Sequence, residues 1–289
     1  MSLFMLEDGT ALVRDSWPKG LPVLARGDQP QSTLKPQDIV PSTVDALEDW
    51  CYIGKRASPS DPSRRSVVFY RTPNVSNESM RREVELRFQG FIEEARLGPF
   101  GNWNGRDQPQ RAVQMVQLCG VDGHPAFASQ CNGLTRLKAL VLEHFNRDCP
   151  ADSGSQLRFE KRVFTKVSPV LTAPKVKLSV LEDPERWADK VDSMWRITER
   201  LQLGFQFEKA VRRCDFKRFR QGDFVEVAAN IDITTYMKEG RFHVTVGMRL
   251  RRVIQLLPQR EAAVIKQAAQ TSPGDTFEFD QDDPSMVEG

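Results

Sequence analysis

Two long runs of alternating apolar residues constrain the fold of this chain more than any other feature. They cover residues 223–236 and 241–250, and the connection between them contains Gly240. Period-two alternation is typical of strands that bury one face, and a short Gly-containing connection joins antiparallel neighbours. The alternation slips at Arg251 and Arg252, as at a β-bulge or a strand end. The pattern therefore predicts a long antiparallel hairpin.

Weaker patterns in the rest of the chain predict further elements. Apolar residues at helical spacing predict helices at 41–50, 77–97, 133–146, 184–202 and 261–270. Compact or alternating apolar runs predict strands at 66–71, 113–118, 157–167, 170–171 and 176–181. We therefore expect an α+β protein. Its centre is a twisted antiparallel sheet, or a partly closed OB-like barrel, around residues 157–257 with flanking helices.

Composition divides the chain into three regions. Residues 1–41 are rich in Pro, Gly, Asp and Gln, which predicts an extended N-terminal arm. Residues 42–270 hold most of the periodic patterns and predict the globular α+β body, with a boundary near 150–155. Residues 271–289 predict an acidic flexible tail.

The bulk composition excludes several classes of protein. A hydrophobic content of 39%, with 17 Phe and 5 Trp, excludes a wholly disordered chain. No apolar run approaches the length that spans a bilayer, and the N-terminus lacks the pattern of a secretory signal, so we expect no membrane partner. The five cysteines are odd in number and far apart. This favours a reducing intracellular compartment, cytoplasm or nucleus, over a disulfide framework.

Charge is segregated in the last third of the chain, although the net charge is only +2. Between Lys209 and Arg252 stand eleven Lys or Arg against five carboxylates. After Lys266 no basic residue follows, whereas six carboxylates do. A basic segment followed by an acidic tail predicts a polyanion-binding surface and a tail that competes for it. Alternatively, the tail only solubilises the chain, or it presents Phe277 and Phe279 to a protein partner.

Aromatic residues interleave with the basic residues of this segment. Single-stranded nucleic acid is held by cations along its phosphates and by aromatic faces that stack its bases. The candidate nucleic-acid-binding residues are Arg212, Arg213, Phe216, Lys217, Arg218, Phe219, Arg220, Arg241, Arg249 and Arg251. We expect the cations to contact phosphate, and Phe216 and Phe219 to stack bases. The alternative is that the phenylalanines are core residues and the cations form a solvated face.

Metal sites and catalytic sites have little support in the sequence. Cys119, His124, Cys131 and Cys149 lie within thirty-one residues, but their spacing matches no compact zinc knuckle. The chain has no phosphate-binding loop, no dinucleotide-binding glycine motif and no nucleophile elbow. We therefore expect no cofactor and no catalytic residue.

Three functions from different classes remain as hypotheses. The leading one is non-catalytic binding of single-stranded nucleic acid, most simply DNA, in replication or recombination. The second is assembly of a viral coat or scaffold, in which the arm and the tail exchange between the subunits of a homo-oligomer. The third and weakest is a metal-dependent nuclease built on Asp223, Glu226 and Asp232.

Overall fold

The computed structural model describes residues 1–21, 34–58, 61–71, 81–106, 108–121, 124–149, 156–167, 175–208 and 210–271. The boundary expected near 150–155, the strand expected at 170–171 and the acidic tail beyond residue 271 lie outside these ranges.

The described part of the chain contains four α-helices and thirteen strands, besides short 3-10 turns. The helices are α1 Val44–Trp50, α2 Pro125–His144, α3 Trp187–Val191 and α4 Gln259–Thr271. The strands are β1 Leu3–Phe4, β2 Ile39–Val40, β3 Cys51–Ser58, β4 Asp61–Tyr70, β5 Glu85–Arg96, β6 Val113–Cys119, β7 Leu157–Arg162, β8 Thr165–Lys166, β9 Trp195–Arg196, β10 Gln202–Phe207, β11 Ala210–Arg213, β12 Phe224–Lys238 and β13 Arg241–Leu257.

Seven of the strands form one sheet that curls until it meets itself. They lie in the order β11-β10-β13-β12-β5-β6-β7. β7 also pairs in parallel with β13, through Glu160 and Arg249, so five strands close a ring in the order β5-β6-β7-β13-β12. This is the pairing order of an OB-type barrel. The expected α+β class with a partly closed barrel is confirmed, and β10 and β11 extend the sheet outward from β13.

The long hairpin is confirmed. β12 and β13 pair in antiparallel register along their lengths. The turn between them consists of Glu239 and Gly240, with φ of 53° and 73°. Two-residue hairpin loops require positive φ, which Gly adopts without steric cost. The expected slip is a β-bulge, in which Arg251 is the extra residue between Leu250 and Arg252.

The helix expected at 77–97 is wrong, because strand β5 occupies most of this range. The residues from Phe88 to Ile92 are all buried, on both faces of the strand. The outer face is covered in part by Trp17, whose ring lies 6.3 Å from that of Phe91. A strand buried on both faces reads as a continuous apolar run, and the period of such a run does not distinguish it from a buried helix.

The helix expected at 184–202 is wrong over most of its length. The helix does not begin at Asp183 and Pro184: α3 begins at Trp187, after Arg186, and is only five residues long. The carboxylate of Asp183 still accepts hydrogen bonds from the first two N–H groups of α3, those of Trp187 (2.8 Å) and Ala188 (3.0 Å). The chain then turns back and pairs Trp195 with Lys166, which ends the helix. Residues 176–181, expected to be a strand, belong to no sheet of the described residues.

The other expected helices are confirmed, with changed limits. α1 begins after Thr43, whose hydroxyl accepts a hydrogen bond from the N–H of Ala46 (3.4 Å). α2 begins at Pro125, well before residue 133, because His124 caps the helix and Pro125 suits its first position. The short C-terminal helix is α4. No helix in the described ranges is long and apolar enough to cross a bilayer.

Two hydrophobic cores hold the chain together. The main core fills the barrel and extends to α1, α2 and β1, and Phe88, Phe159 and Phe224 are among its fully buried side chains. A smaller core, which we call the satellite core, joins the loop between β5 and β6 to residues 163–197. The satellite core stands beside β7 and forms one wall of the site described next.

Candidate nucleic-acid interface

An open groove of about 1730 Å³ lies between strand β7, the β12–β13 hairpin and the satellite core. Eight Lys or Arg line this groove against three carboxylates, Glu160, Glu199 and Asp232. The basic residues are Arg65, Lys138, Arg158, Lys161, Arg162, Lys166, Arg249 and Arg251. An excess of one charge sign in a cleft with low-dielectric walls focuses the electric field on a ligand of the opposite sign. The groove therefore suits a polyanion.

Strand alternation positions the basic side chains of β7. Leu157 and Phe159 point into the barrel and are buried, whereas Arg158 and Arg162 point outward and are exposed. Lys166 follows on β8 and is also exposed. Arg158 and Arg162 therefore form an outer cationic face, whereas Lys161 has the parity of the core residues and is buried.

Carboxylates hold several of the groove cations in place. Glu199 lies between Lys161 (Nζ to carboxylate 3.3 Å) and Arg251 (3.2 Å), and Asp232 pairs with Arg65. Burial lowers the pKa of Lys161, and Glu199 opposes that shift. A phosphate that enters here exchanges with a carboxylate that already occupies a similar position.

Arg162 and Lys166 differ from the other groove cations. No carboxylate of the described residues lies within ion-pair distance of either side chain, and both are exposed. An unpaired surface cation binds phosphate without first breaking an ion pair. These two residues therefore offer charge to an anion without the loss of an existing ion pair.

Two aromatic side chains line the groove and keep accessible ring surface. Tyr236 on the hairpin is 43% exposed and stacks on His243, with ring centroids 5.3 Å apart. Trp195 on β9 is half-buried against the satellite core. Phe164 also lines the groove but is buried in the satellite core. Exposed aromatic faces stack bases with little dependence on sequence.

The residues expected from the sequence lie in three places. Arg249 and Arg251 line the groove. Arg241 is exposed at the end of the hairpin. Arg212 and Arg213, on edge strand β11, line a second cavity of about 690 Å³. The structure thus brings two of the ten expected residues into the groove.

Seven of the expected residues, among them Arg212 and Arg213, form what we call the edge cluster, which comprises Arg212, Arg213, Phe216, Lys217, Arg218, Phe219 and Arg220. Two of its arginines stack on aromatic side chains. The guanidinium of Arg218 lies 3.8 Å from the ring centroid of Phe205 and donates a hydrogen bond to Gln255 (2.7 Å). Arg212 lies 4.3 Å above Phe207. Phe216 and Phe219 are half-buried against the main core, so only part of each ring is accessible.

The two cavities adjoin. Glu199 and Val163 line both of them. The smaller cavity is nearly balanced in charge, with four arginines and three carboxylates among its lining residues. The groove and the edge cluster are therefore neighbouring surfaces of different electrostatic character, with Glu199 between them.

Sequence reasoning missed most of the groove. The missed cations are Arg65, Lys138, Arg158, Lys161, Arg162 and Lys166. A local signal existed in residues 157–162, where Arg158 and Arg162 take exposed positions and Leu157 and Phe159 take buried positions of one strand. Arg65 and Lys138 gave no such signal, because other strands and α2 bring them to the groove from distant parts of the sequence.

The three carboxylates of the nuclease hypothesis do not converge. Asp223 is buried and accepts hydrogen bonds from Gln255 (2.6 Å) and from two backbone N–H groups (2.7 and 2.9 Å). Glu226 is 1% exposed and pairs with Arg87. Asp232 lies in the groove. Asp223 and Glu226 are therefore structural groups that stabilise the barrel.

Metal-ligating side chains do not cluster in threes or more anywhere in the described ranges. His124 accepts a hydrogen bond from the N–H of Ala126 (3.3 Å) and stacks on Trp17, with ring centroids 5.6 Å apart. Burial lowers the pKa of His124. This histidine therefore caps a helix.

Comparison with known proteins gives structural neighbours only. No family model matches the chain, and no curated protein matches its sequence. Gp2.5, a single-stranded DNA-binding protein encoded by bacteriophage T7, aligns over 60% of this chain and 92% of its own, with 11% identity and a TM-score of 0.32. The single-stranded DNA-binding protein from bacteriophage Enc34 aligns over 72% and 90%, with 11% identity and a TM-score of 0.30. Its complex with single-stranded DNA aligns over 59% and 85%, with 13% identity and a TM-score of 0.29.

Proposed function

We propose that this protein binds single-stranded nucleic acid in the groove and performs no catalysis. The observation that carries the proposal is the placement of eight Lys or Arg, against three carboxylates, along one open face of an OB-type barrel. OB-type barrels bind oligonucleotides on the face of their second and third strands and at the loop between the fourth and fifth. In this chain those elements are β6, β7 and the β12–β13 hairpin, which line the groove.

Each group in the groove has a role in this proposal. Arg162 and Lys166 contact phosphates directly, and Arg249 and Arg251 extend the cationic track along β13. Tyr236 and Trp195 stack bases, an interaction worth about 1–3 kcal/mol per base. Binding through phosphates releases counterions, so log K falls with log salt by about 0.7 per phosphate contacted.

The edge cluster and Arg241 belong to the same proposal as outlying contacts. Arg212 and Arg213 line the cavity that adjoins the groove at Glu199. A strand that leaves the groove past Glu199 meets these arginines next. Their contribution is smaller, because Arg212 already stacks on Phe207 and the cavity is nearly balanced in charge.

The acidic tail completes the proposal. Its six carboxylates and absence of basic residues make it a polyanion attached to the same chain as the groove. It competes with nucleic acid at low salt and presents Phe277 and Phe279 to a protein partner when it is displaced. We place the protein in replication or recombination within a reducing intracellular compartment.

Fluorescence anisotropy tests the proposal. The phage proteins compared above bind single-stranded DNA, so labelled dT is the first ligand, and a duplex and an RNA of equal length are the comparisons. We expect salt-sensitive binding that favours the single strand, and tighter binding by a chain that ends at Thr271, which retains α4 and lacks the tail. Binding that is insensitive to salt, or equal for strand and duplex, would contradict the proposal.

A further inference from the structure

A second basic surface lies outside the groove, on the outer face of the two-stranded sheet β3–β4. We propose that it is a further contact surface for the nucleic acid, which a strand reaches beyond the groove; this inference rests on the proposed function. We call this surface the arginine–tyrosine strip. It comprises Tyr52, Arg56, Phe69, Arg71 and Arg81.

The aromatic base of the strip faces away from the hydrophobic cores. Tyr52 and Phe69 are ladder partners and stack with ring centroids 5.6 Å apart at an interplanar angle of 27°. Val68 and Tyr70, which point to the other face of the same strand, belong to the main core. Neither Tyr52 nor Phe69 belongs to either core of the described residues. Phe69 is only 1% exposed, so Tyr52, which is partly exposed, is the ring of this stack that presents surface on the outer side of the sheet.

Three guanidinium groups lie over the rings of Tyr52 and Phe69. Arg56 lies 4.8 Å from the centroid of Phe69, and Arg71 and Arg81 each lie 5.9 Å from the centroid of Tyr52. A guanidinium that stacks on a ring keeps its N–H donors in its own plane, and it is weakly hydrated. It therefore offers phosphate a bidentate site at a low desolvation cost.

The arginines of the strip differ in their acidic partners. Arg71 is exposed and donates to the backbone carbonyl of Glu48 (3.1 Å). No carboxylate of the described residues lies within ion-pair distance of Arg71. Glu83 is the acidic partner of Arg56, at 3.5 Å, and it also pairs with Arg249 of the groove, at 2.6 Å.

The strip is continuous with the groove. Arg65 lines the groove and is the ladder partner of Arg56 in the strip. From Arg56 to Tyr52 the strand β3 runs four residues, or about 13 Å. A single strand that leaves the groove beside Arg65 therefore meets stacked arginines first and an aromatic face next.

The test uses strand length to separate the strip from the groove. One labelled dT oligonucleotide has about 8 nucleotides, within the range that one OB fold covers, and another has about 25. Tyr52→Leu keeps the packing on Phe69 and is expected to raise Kd for the longer strand about fivefold or more, the lower end of one lost stacking contact. The double variant Arg71→Gln/Arg81→Gln is expected to lower the salt slope for the longer strand by about 1.4. Neither variant is expected to change binding of the shorter strand.

Three controls make the outcomes distinct. The double variant Lys177→Gln/Lys190→Gln removes the same charge from exposed positions that line neither cavity and is expected to bind as the unmodified chain does. Arg162→Gln/Lys166→Gln in the groove is expected to weaken both strands. Photocrosslinking of the unmodified chain to an iodouracil-substituted long strand is expected to label Tyr52, a readout that does not depend on the folding of a variant.

Two negative results carry different meanings. Unmodified protein that binds neither strand would overturn the proposed function. Unmodified protein that binds both strands, with strip variants that match it on the longer strand and no crosslink at Tyr52, would overturn the strip alone.

Discussion

The groove and the edge cluster have similar composition but use it differently. In the edge cluster, Arg218 and Arg212 stack on Phe205 and Phe207, and the adjoining cavity is nearly balanced in charge. In the groove, eight cations face three carboxylates, and Arg162 and Lys166 have no acidic partner among the described residues. Cations that already stack on aromatic rings beside carboxylates gain less free energy when an anionic ligand binds. The density of charge along the sequence is therefore a poor guide to the density of available charge in space.

The largest expected effect concerns the attachment of the edge cluster to the barrel. The carboxylate of Asp223 accepts hydrogen bonds from Gln255 and from the N–H of Arg220, and Gln255 in turn accepts from Arg218. We expect Asp223→Ala to lower the free energy of unfolding by about 3 kcal/mol, because buried donors lose a charged acceptor. Urea unfolding measures this loss.

Asp215→Ala is the matched control for this prediction. Asp215 is exposed, and the N–H of Lys217 is the one donor to its carboxylate within the described ranges (2.8 Å), so its loss is expected to cost about 1 kcal/mol or less. Affinity for dT, measured well below the melting temperature, is expected to change by no more than about threefold in both variants, because the edge cluster supplies only outlying contacts. A larger fall in affinity with Asp223→Ala in folded protein would break the distinction between a structural edge and a binding groove.

The second prediction compares the two surfaces directly. Arg162→Gln/Lys166→Gln is expected to raise Kd for dT about tenfold, or about 1.4 kcal/mol, and to lower the salt slope by about 1.4. Arg212→Gln/Arg213→Gln removes the same charge from the edge cluster and is expected to raise Kd about threefold or less, because those arginines are outlying contacts. Anisotropy titrations over a range of salt concentrations measure both quantities. Equal losses in the two variants would contradict the ranking of the surfaces.

The third prediction concerns Glu199, which stands between the two surfaces. Its carboxylate pairs with Lys161 and Arg251 and so occupies a position suited to a phosphate. We expect Glu199→Gln to lower Kd for dT about threefold, because two cations become available without a competing charge. Glu182→Gln is the control, since Glu182 lines only the smaller cavity and pairs with Arg200. Weaker binding by Glu199→Gln would show that this carboxylate positions the cations and does not compete for them.

The smallest expected effect concerns the dependence of stability on pH. Burial lowers the pKa of His124 from its usual value near 6.5, so the folded state favours the neutral ring. The stability that this provides is complete above the unfolded pKa and is lost as pH falls through the lowered folded pKa. The melting temperature is therefore expected to fall below about pH 6.5, and less so in His124→Asn, which caps α2 without titrating in this range. Identical pH profiles of the two proteins would rule out His124 as the source.

Local pattern predicted the elements whose neighbours in sequence are also their neighbours in space. The hairpin, its bulge and the helices α1, α2 and α4 follow from alternation, helical spacing and capping residues. The failures at 77–97 and 184–202 have a common cause. Strand β5 is buried on both faces, and α3 is cut short where Trp195 pairs with Lys166. In both places a contact that is remote in sequence overrides the local periodicity.

The candidate site divides in the same way. Arg249 and Arg251 were found because they stand in the hairpin that the sequence specifies. Arg65 was not, since it reaches the groove from β4, a strand outside the barrel. Arg65 forms an ion pair with Asp232, a residue far from it in the sequence.

The sequence by itself determined the α+β class of this protein, its longest hairpin and the segregation of charge towards its C-terminal end. Only the tertiary structure decided that five strands close a ring and which cations share a surface. The physical reason is that alternation reports which face of a strand is buried but not which strand lies beside it. The parallel contact between β7 and β13 carries no local signature, and this contact brings Arg162 and Arg249 to the same groove.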